Sequence, residues 1–347
     1  MRYPVIAGAG LVLLALACLG QPAAWAANGA ADRPHITVAV TDSGLGGLSV
    51  VAAAERSLRE AGVTADIDLV FCNALFDADS GYNSLPSRDA KVAMFDRALA
   101  GLAAECRPDL VVIACNTLSV LYKDTAFAAR GAVPVIDIVD CGVDLIASRL
   151  PVGSPGAVII LGTETTVGEG THKSALVARG YAPEHIITQA CPQLASCIES
   201  GYDSEETTFL VDAYVSDATA GFGGVVPAPL YVSLNCTHFG YALAAWQAAF
   251  AGHGIAVDEV LDPNQSLADE ARGWLGAHGA KAAREGQSIG KVSVRVVSMP
   301  EIAPGAIGSI SRWLQAVSPA TAAALRGYER RAGLFSTADL WPGVGGR

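Results

Sequence analysis

Charged residues are scarce in this sequence, and basic residues are the scarcer kind. Asp, Glu, Lys and Arg make up 16% of the 347 residues, with 34 acidic against 23 basic side chains and a formal net charge of −11. The few Lys and Arg residues form no cluster, which excludes the basic surface through which proteins bind nucleic acid or anionic membranes. We therefore expect no nucleic-acid partner.

Long apolar runs are missing from the sequence except near its start. Residues 5–19 carry no charge, but this run is shorter than the roughly 20 residues that span a bilayer. The small-x-small sequence AWA follows at residues 24–26, as in a secretory signal peptide. We predict a signal over residues 1–26, cleaved at its end, and a periplasmic or secreted protein without stable membrane insertion. A lipoprotein anchor at Cys18 is a minor alternative, because Ala15 stands where a lipobox has Leu.

Signatures of common cofactors are also missing. The Gly-rich turn at residues 44–47 is followed by Ser49, where the dinucleotide fingerprint requires its last glycine, and no Gly-Lys-Ser/Thr phosphate loop is present. No motif indicates a lysine Schiff base with pyridoxal phosphate. Cys236 and His238 are spaced like metal ligands, but no second ligand pair accompanies them. We expect neither an organic cofactor nor a metal.

The cysteines do not form a disulfide framework. The chain has 8 cysteines, and loss of Cys18 with the signal leaves seven, so at least one thiol stays free even in an oxidising compartment. Most are expected to be small buried apolar residues. The seven are Cys72, Cys106, Cys115, Cys141, Cys191, Cys197 and Cys236.

The rest of the chain alternates β-rich runs with helix-like segments, a rhythm typical of parallel sheets covered by helices. A strand leading into a Gly-rich turn occurs twice, at 38–47 and at 157–170. The fold class predicted is α/β, with two pseudo-symmetric three-layer α/β/α domains whose mainly parallel sheets face a central cleft. The predicted bounds are 35–140 plus 262–320 for domain one, 141–261 for domain two and 334–347 for a loose tail.

Each predicted domain has a strand that ends in a cysteine. Residues 111–117 read VVIACNT, with Cys115, and residues 231–238 read YVSLNCTH, with Cys236. Ligands bind at the carboxyl ends of strands in open α/β sheets, so two facing domains would present one cysteine each to a shared cleft. Taken alone, Cys115 is better explained as a small apolar residue buried in the core. The pair together suits proton transfer on both faces of one carbon.

Five motifs, taken in order, resemble those of glutamate racemase, a family of the cofactor-independent aspartate/glutamate racemase superfamily. They are TDSGLGGLSV at 41–50, ACNT at 114–117, GTETT at 162–166, ACP at 190–192 and NCTH at 235–238. The resemblance extends from about Thr37 to Gln315. It implies an amino-acid racemase that interconverts L- and D-glutamate by two-base proton transfer at the α-carbon.

The resemblance also assigns roles to individual residues. Cys115 and Cys236 are the implied acid/base pair, assisted by Asp42 and His238 respectively. The implied partner is a small acidic amino acid, with glutamate favoured and aspartate next, and a homodimer is left open. The implied substrate-binding residues are Ser43, Asn116, Thr117, Thr166 and Thr237, joined by Tyr82 and Asn83 of a loop that departs from the family.

That loop is the main departure from the family pattern. The family has Asp-Thr-x-x-x-Pro-Tyr-Gly, which recognises the side-chain carboxylate, whereas residues 71–84 read FCNALFDADSGYNS and are longer. We therefore expect weaker discrimination by chain length. Asn235 also replaces a common Gly, and Phe239 replaces Tyr. Export is a further departure, because D-glutamate for peptidoglycan is made in the cytoplasm.

Two alternative functions stay open at this point. One is a periplasmic protein that binds acidic amino acids without turnover. The other is a sibling of the superfamily with a different substrate, such as an arylmalonate- or hydantoin-type enzyme, although retention of both cysteines argues against it.

Overall fold

The structure, a computed structural model, describes residues 33–78, 80–337 and 339–341. The signal predicted over residues 1–26 lies outside the described residues, and so does the alternative lipid anchor at Cys18. Within the described ranges no helix is long and apolar enough to cross a membrane.

Ten strands in the described residues form two parallel sheets. The first sheet has six strands in the order β10-β9-β2-β1-β3-β4, and the second has four in the order β6-β5-β7-β8. Their bounds are β1 His35–Asp42, β2 Asp66–Asn73, β3 Leu110–Ile113, β4 Val135–Asp137, β5 Ala157–Gly162, β6 Ile186–Ala190, β7 Leu230–Asn235, β8 Glu259–Leu261, β9 Val292–Ser298 and β10 Glu329–Arg330.

The α-helices of the described residues connect these strands and cover them. They are α1 Leu48–Ala61, α2 Arg88–Cys106, α3 Asn116–Tyr122, α4 Ala126–Arg130, α5 Ile138–Arg149, α6 Glu164–Glu169, α7 Thr171–Ala178, α8 Leu194–Gly201, α9 Glu205–Ala220, α10 Leu243–Gly252, α11 Pro263–Ala277, α12 Pro304–Val317 and α13 Pro319–Arg326. Short 3-10 turns lie at Tyr82–Ser84, Pro183–His185 and Phe239–Ala242.

Helices pack on both faces of each sheet, which explains why the inner strands β3 (LVVI) and β5 (AVIILG) are apolar throughout rather than alternating. Alternate β2 residues enter two apolar clusters: Leu69 faces the cluster that contains α1 and α12, whereas Val70 faces the cluster that contains α2. In the second sheet Ile159 faces α9 and α10, and Ile160 faces α5 and α7. The prediction of an α/β fold with mainly parallel sheets in three layers is confirmed.

The distribution of strands along the chain follows the predicted division. Strands of the first sheet come from residues 35–137 and 292–330, and those of the second from residues 157–261. The domain bounds themselves stay a prediction. Strand β4 stops at Asp137, because the Asp137 side chain accepts a hydrogen bond from Val139 N–H and starts α5.

The loose tail predicted from residue 334 is wrong for the part that the structure describes. Phe335 is buried, and Leu334, Leu340 and Trp341 pack against the same apolar cluster as α2. Arg97 of α2 forms an ion pair with Asp339 at 2.6 Å. The apolar side chains of this segment pack into the cluster that α2 forms with the first sheet. Residues 342–347 lie outside the described residues.

Candidate active site

The carboxyl ends of the strands in both sheets line one cleft of about 650 Å³. Cys115 follows β3 and Cys236 follows β7, as the sequence predicts, and both line this cleft. The turn after β1 and the loop after β2 contribute further walls. Of the other residues predicted for the site, Asp42, Ser43, Tyr82, Asn83, Asn116, Thr117, Thr237 and His238 line the cleft, whereas Thr166 does not.

Cys115 contacts a serine and lies near a buried carboxyl group. Ser43 Oγ is 3.1 Å from Cys115 Sγ, and either atom can donate. The Asp42 side chain is 0% exposed, and burial raises its pKa to about 6. Burial, followed by the negative charge of Asp42, raises the pKa of the Cys115 thiol. The raised pKa favours the neutral thiol form of Cys115, which can donate a proton.

Cys236 contacts a histidine that is itself bonded to a carboxylate. His238 Nδ1 lies 3.7 Å from Cys236 Sγ, and His238 Nε2 lies 2.6 Å from Glu199 Oε1. Burial lowers the pKa of His238, but the hydrogen bonds with Cys236 and Glu199 outweigh it, so the pKa lies well above its ordinary value. A protonated His238 can donate to the Cys236 sulfur, and the same contact can carry a proton away from it.

Glu199 is a site residue that the sequence analysis missed. It lies on α8, and its Oε1 also accepts a hydrogen bond of 2.6 Å from Leu45 N–H. A Cβ at Gly44 would lie 2.6 Å from the same oxygen, so a larger residue at this position would force the carboxylate to move. Buried Leu194 and Ile198, four residues apart, indicate a helix here but carry no sign of chemistry.

Asp42 joins the turn after β1 to the strand end of the second sheet. Thr237 Oγ1 donates to Asp42 Oδ2 at 2.8 Å, and a side chain at Gly46 would collide with Thr237 Oγ1. The other carboxylate oxygen, Asp42 Oδ1, is buried without a partner among the described residues. This oxygen can therefore take a proton or a hydrogen bond from a bound ligand.

Asn116 is held from behind by a buried histidine. Its Oδ1 accepts from His172 Nε2 at 3.1 Å, and burial lowers the pKa of His172 to about 4, so this histidine is neutral. Asn116 Nδ2 is a buried donor without a partner among the described residues. Because the carbonyl end is occupied, the amide end is the one left for a ligand.

Three threonines form a hydrogen-bonded group beside Asn116. Thr163 Oγ1 lies 2.8 Å from Thr117 Oγ1 and 3.0 Å from Thr166 Oγ1. Thr117 and Thr163 line the cleft, so Thr166 lies behind them and acts on a ligand only through its neighbours. Thr163 belongs to the GTETT motif, although the motif alone predicts no role for it.

In the altered loop, Tyr82 and Asn83 differ from each other in what they can offer a ligand. The Tyr82 hydroxyl donates to Ala74 O at 3.1 Å, so this buried residue offers a ligand its ring rather than a hydrogen bond. Asn83 is exposed to the cleft, and its Oδ1 accepts from Thr165 Oγ1 at 2.6 Å, while Thr165 accepts from Lys91 Nζ at 2.7 Å. This chain of contacts leaves the Asn83 amide protons available.

His238 is the one basic side chain among the described residues that line this cleft. Among its described lining residues there is no Lys or Arg. In the described ranges His, Cys, Asp and Glu also form no group of three or more arranged to hold a metal ion. The absence of a cofactor stays a prediction, and the described geometry offers thiols, a histidine, carboxyl groups and neutral hydrogen-bond donors.

Residues 38–271, which include both cysteines, match the model of the Asp/Glu/Hydantoin racemase family. The chain belongs to this family. The prediction of an amino-acid racemase is thereby confirmed, and a protein that only binds amino acids is not favoured.

Several curated relatives of this racemase carry the name glutamate racemase, as the motifs predict. One from Chlorobaculum parvum is 25% identical over 70% of this chain and 80% of its own. One from Roseiflexus sp. is 30% identical over 60% of this chain and 69% of its own.

Solved structures of glutamate racemases have the same fold as this chain. Glutamate racemase from Francisella tularensis in complex with D-glutamate has a TM-score of 0.60 at 21% identity, covering 82% of this chain and 94% of that one. The enzyme from Thermus thermophilus in complex with β-chloro-D-alanine has a TM-score of 0.58 at 23% identity, covering 86% and 96%.

Proposed function

We propose that this racemase interconverts L- and D-glutamate by proton transfer at the α-carbon, with Cys115 and Cys236 as the two acid/base groups. This proposal rests on one observation. Both strand-end cysteines line the same cleft, and each contacts a polar partner of its own. The names of the curated relatives support glutamate as the substrate.

Each direction of the reaction needs one deprotonated and one protonated sulfur. A thiolate removes the α-proton, and the opposing thiol returns a proton to the other face. On one side His238 and Glu199 receive or return the proton of Cys236 through the 3.7 Å contact. On the other side Ser43 and Asp42 receive or return the proton of Cys115. Exchange of the two roles gives the reverse direction.

Neutral donors are proposed to bind the two carboxylates of the substrate. Asn116 Nδ2 and the Thr117 hydroxyl lie beside Cys115 and suit the α-carboxylate, because both are donors held in place by buried partners. The free amide of Asn83 suits the side-chain carboxylate. Fixed dipoles of this kind also stabilise the negative charge that develops on the substrate when the α-proton leaves.

We further propose that the enzyme acts outside the cytoplasm. The charge-free run at residues 5–19 followed by AWA at 24–26 supports export. In that location the substrates are free acidic amino acids. The homodimer left open by the resemblance stays a prediction.

Exchange of the α-proton with solvent tests the proposal. L-Glutamate incubated with the protein in D₂O should gain deuterium at the α-carbon and form D-glutamate, followed by NMR and chiral chromatography. Cys115→Ser and Cys236→Ser should each lower racemisation by at least about 100-fold, in line with the loss of one acid/base group. Absence of exchange in the wild-type protein would leave ligand binding as its function, and near wild-type turnover in either variant would disprove the two-cysteine assignment.

A further inference from the structure

Two cysteines that play no part in the racemase cleft have their sulfur atoms in contact. Cys72 Sγ lies 3.4 Å from Cys106 Sγ, and both are free thiols in the structure. Cys72 is on β2, between β1 and β9 in the first sheet, and Cys106 is the last residue of α2. Neither lines the cleft that contains Cys115 and Cys236.

The contact follows from the packing of the fold. The inner face of α2 places Leu99 and Leu102 on the sheet, and Cys106 continues that face one turn further along the helix. Cys72 points into the same apolar cluster. Because a packed helix and an inner strand hold the two residues, the proximity of the sulfurs does not depend on a flexible loop.

We propose that Cys72 and Cys106 are a site of disulfide formation that covalently joins β2 to the C-terminal end of α2. A disulfide has an S–S length of about 2.05 Å, so the sulfurs must approach by about 1.4 Å from their 3.4 Å contact, which is the scale of side-chain rotation. The bond would close a loop that includes Tyr82 and Asn83, and it would remove conformational freedom from the unfolded chain.

The environment indicates which sulfur reacts first. Cys106 is partly exposed, whereas Cys72 is 1% exposed. A hydrogen bond with Cys72, helped by the positive charge of Arg295, lowers the pKa of Cys106, which increases its thiolate fraction. Cys106 is therefore the sulfur that meets an oxidant from solution, and Cys72 is the sulfur that completes the bond.

The reaction balances with a low-molecular-weight disulfide such as oxidised glutathione. The Cys106 thiolate attacks one glutathione sulfur, the glutathione S–S bond breaks, and one glutathione thiolate leaves. Cys72 then loses its proton to solvent and attacks the Cys106 sulfur, which releases the second glutathione. Two protein thiols are oxidised, and one oxidised glutathione is reduced to two thiols.

Peptide mapping of the full-length protein tests the site. After treatment with oxidised glutathione and blocking of free thiols, cleavage before Asp residues yields peptides 68–76 and 96–108, which contain Cys72 and Cys106 as their single cysteines. Asp109 separates Cys106 from Cys115, so the two are distinguished. We expect these peptides to be joined, two thiols per chain to be lost, and both changes to be reversed by dithiothreitol.

Variants sharpen the test without relying on enzymatic activity. Cys106→Ser should abolish both the thiol loss and the joined peptide. Cys72→Ser should lose one thiol, as a mixed disulfide of Cys106 with glutathione, and form no joined peptide. Cys197→Ser, at another partly exposed cysteine, should retain the joined peptide. The oxidised wild-type protein should also unfold several degrees higher than the reduced one. An unchanged thiol count in the wild-type protein, or joining through a different cysteine, would overturn the proposal whatever the racemase activity.

Discussion

His238 Nε2 lies 2.6 Å from Glu199 Oε1, which joins the strand-end motif of the second sheet to helix α8. The same Glu199 oxygen accepts from Leu45 N–H in the turn after β1. One carboxylate thus contacts both the histidine beside Cys236 and the glycine-rich turn that carries Ser43, whose hydroxyl contacts Cys115. The polar partners of the two cysteines are therefore linked through a single side chain.

Glu199→Gln retains a hydrogen-bond acceptor but removes the charge that helps to raise the pKa of His238. We expect kcat/KM to fall about 100-fold in both directions, because L- and D-glutamate have equal free energies and the two values must fall together. With α-deuterated substrates, the primary isotope effect should grow only for the enantiomer that Cys236 deprotonates. Glu164→Gln, at another acidic residue of the cleft, is the control. Equal isotope effects in both directions would contradict the assigned role.

Lys91→Met removes the first member of the chain of contacts through Thr165 to Asn83. Without it the Asn83 amide loses its fixed orientation, and binding of the side-chain carboxylate should weaken. We expect KM for glutamate to rise about tenfold, equivalent to about 1.4 kcal/mol, with kcat within about threefold of the wild type. Lys91→Arg should restore much of the affinity. A loss confined to kcat would show that Lys91 acts on the chemical step instead.

The altered loop at residues 71–84 should weaken discrimination by chain length. One methylene contributes only about 1–3 kcal/mol in a well-fitted pocket, so we expect kcat/KM for aspartate within about tenfold of that for glutamate. Alanine should be a far poorer substrate, because it leaves the donors for a second carboxylate unpaired. Chiral chromatography of all three reactions measures this order. Turnover of alanine equal to glutamate would disprove the acidic substrate.

The buried carboxyl group of Asp42 should make stability depend on pH. Burial raises its pKa from 3.8 to about 6, so between these values the folded protein binds more protons than the unfolded chain. The free energy of unfolding should therefore fall as pH rises from about 4 to about 6, by about 3 kcal/mol for this group. Asp42→Asn should recover that stability at pH 7 and yet lower kcat at least about 100-fold.

Urea unfolding at several pH values measures this change, and Asp262→Asn is the matched control. Burial raises the pKa of Asp262 to about 6 as well, but this residue caps α11 and does not line the cleft. Asp262→Asn should likewise raise the free energy of unfolding at pH 7 and make it less dependent on pH. It should leave racemisation intact. A free energy of unfolding that is independent of pH in this range would contradict the raised pKa values.

Export predicts a shortened N-terminus. Protein recovered from its native host should begin at about Ala27, since AWA at residues 24–26 is the proposed cleavage site. Terminal sequencing or intact mass measures this, with fractionation of the cells as the control. Recovery of chains that still begin with Met1 from the cytosol would refute the proposed location.

The sequence could predict the two cysteines and their neighbours because each follows an apolar strand inside a specific motif. Local patterns also predict the sheets, because strands buried on both faces are continuously apolar, as in residues 157–162. Glu199 and His172 could not be found in this way. Their partners, His238 and Asn116, are distant in the chain, so their roles depend on contacts that only the packed structure supplies.

The tail beginning at residue 334 was mispredicted for a related reason. Leu334, Phe335, Leu340 and Trp341 show no helix or strand period, and a short irregular segment resembles a disordered end when it is read alone. The apolar cluster that contains α2, a distant part of the chain, supplies the surface against which these side chains pack.

Trp341 also contacts the loop that follows β2. Its ring meets the edge of Phe76 at a centroid distance of 5.4 Å, and Phe76 in turn meets Tyr82 at 5.5 Å. Phe76 precedes the loop segment that carries Asn83, so the far end of the described chain supports the part of the cleft that Asn83 lines. If Asn83 binds the substrate side chain as proposed, we expect two related racemases with identical motifs but different C-terminal segments to differ in substrate range, a form of variation that a comparison of cleft residues alone does not detect.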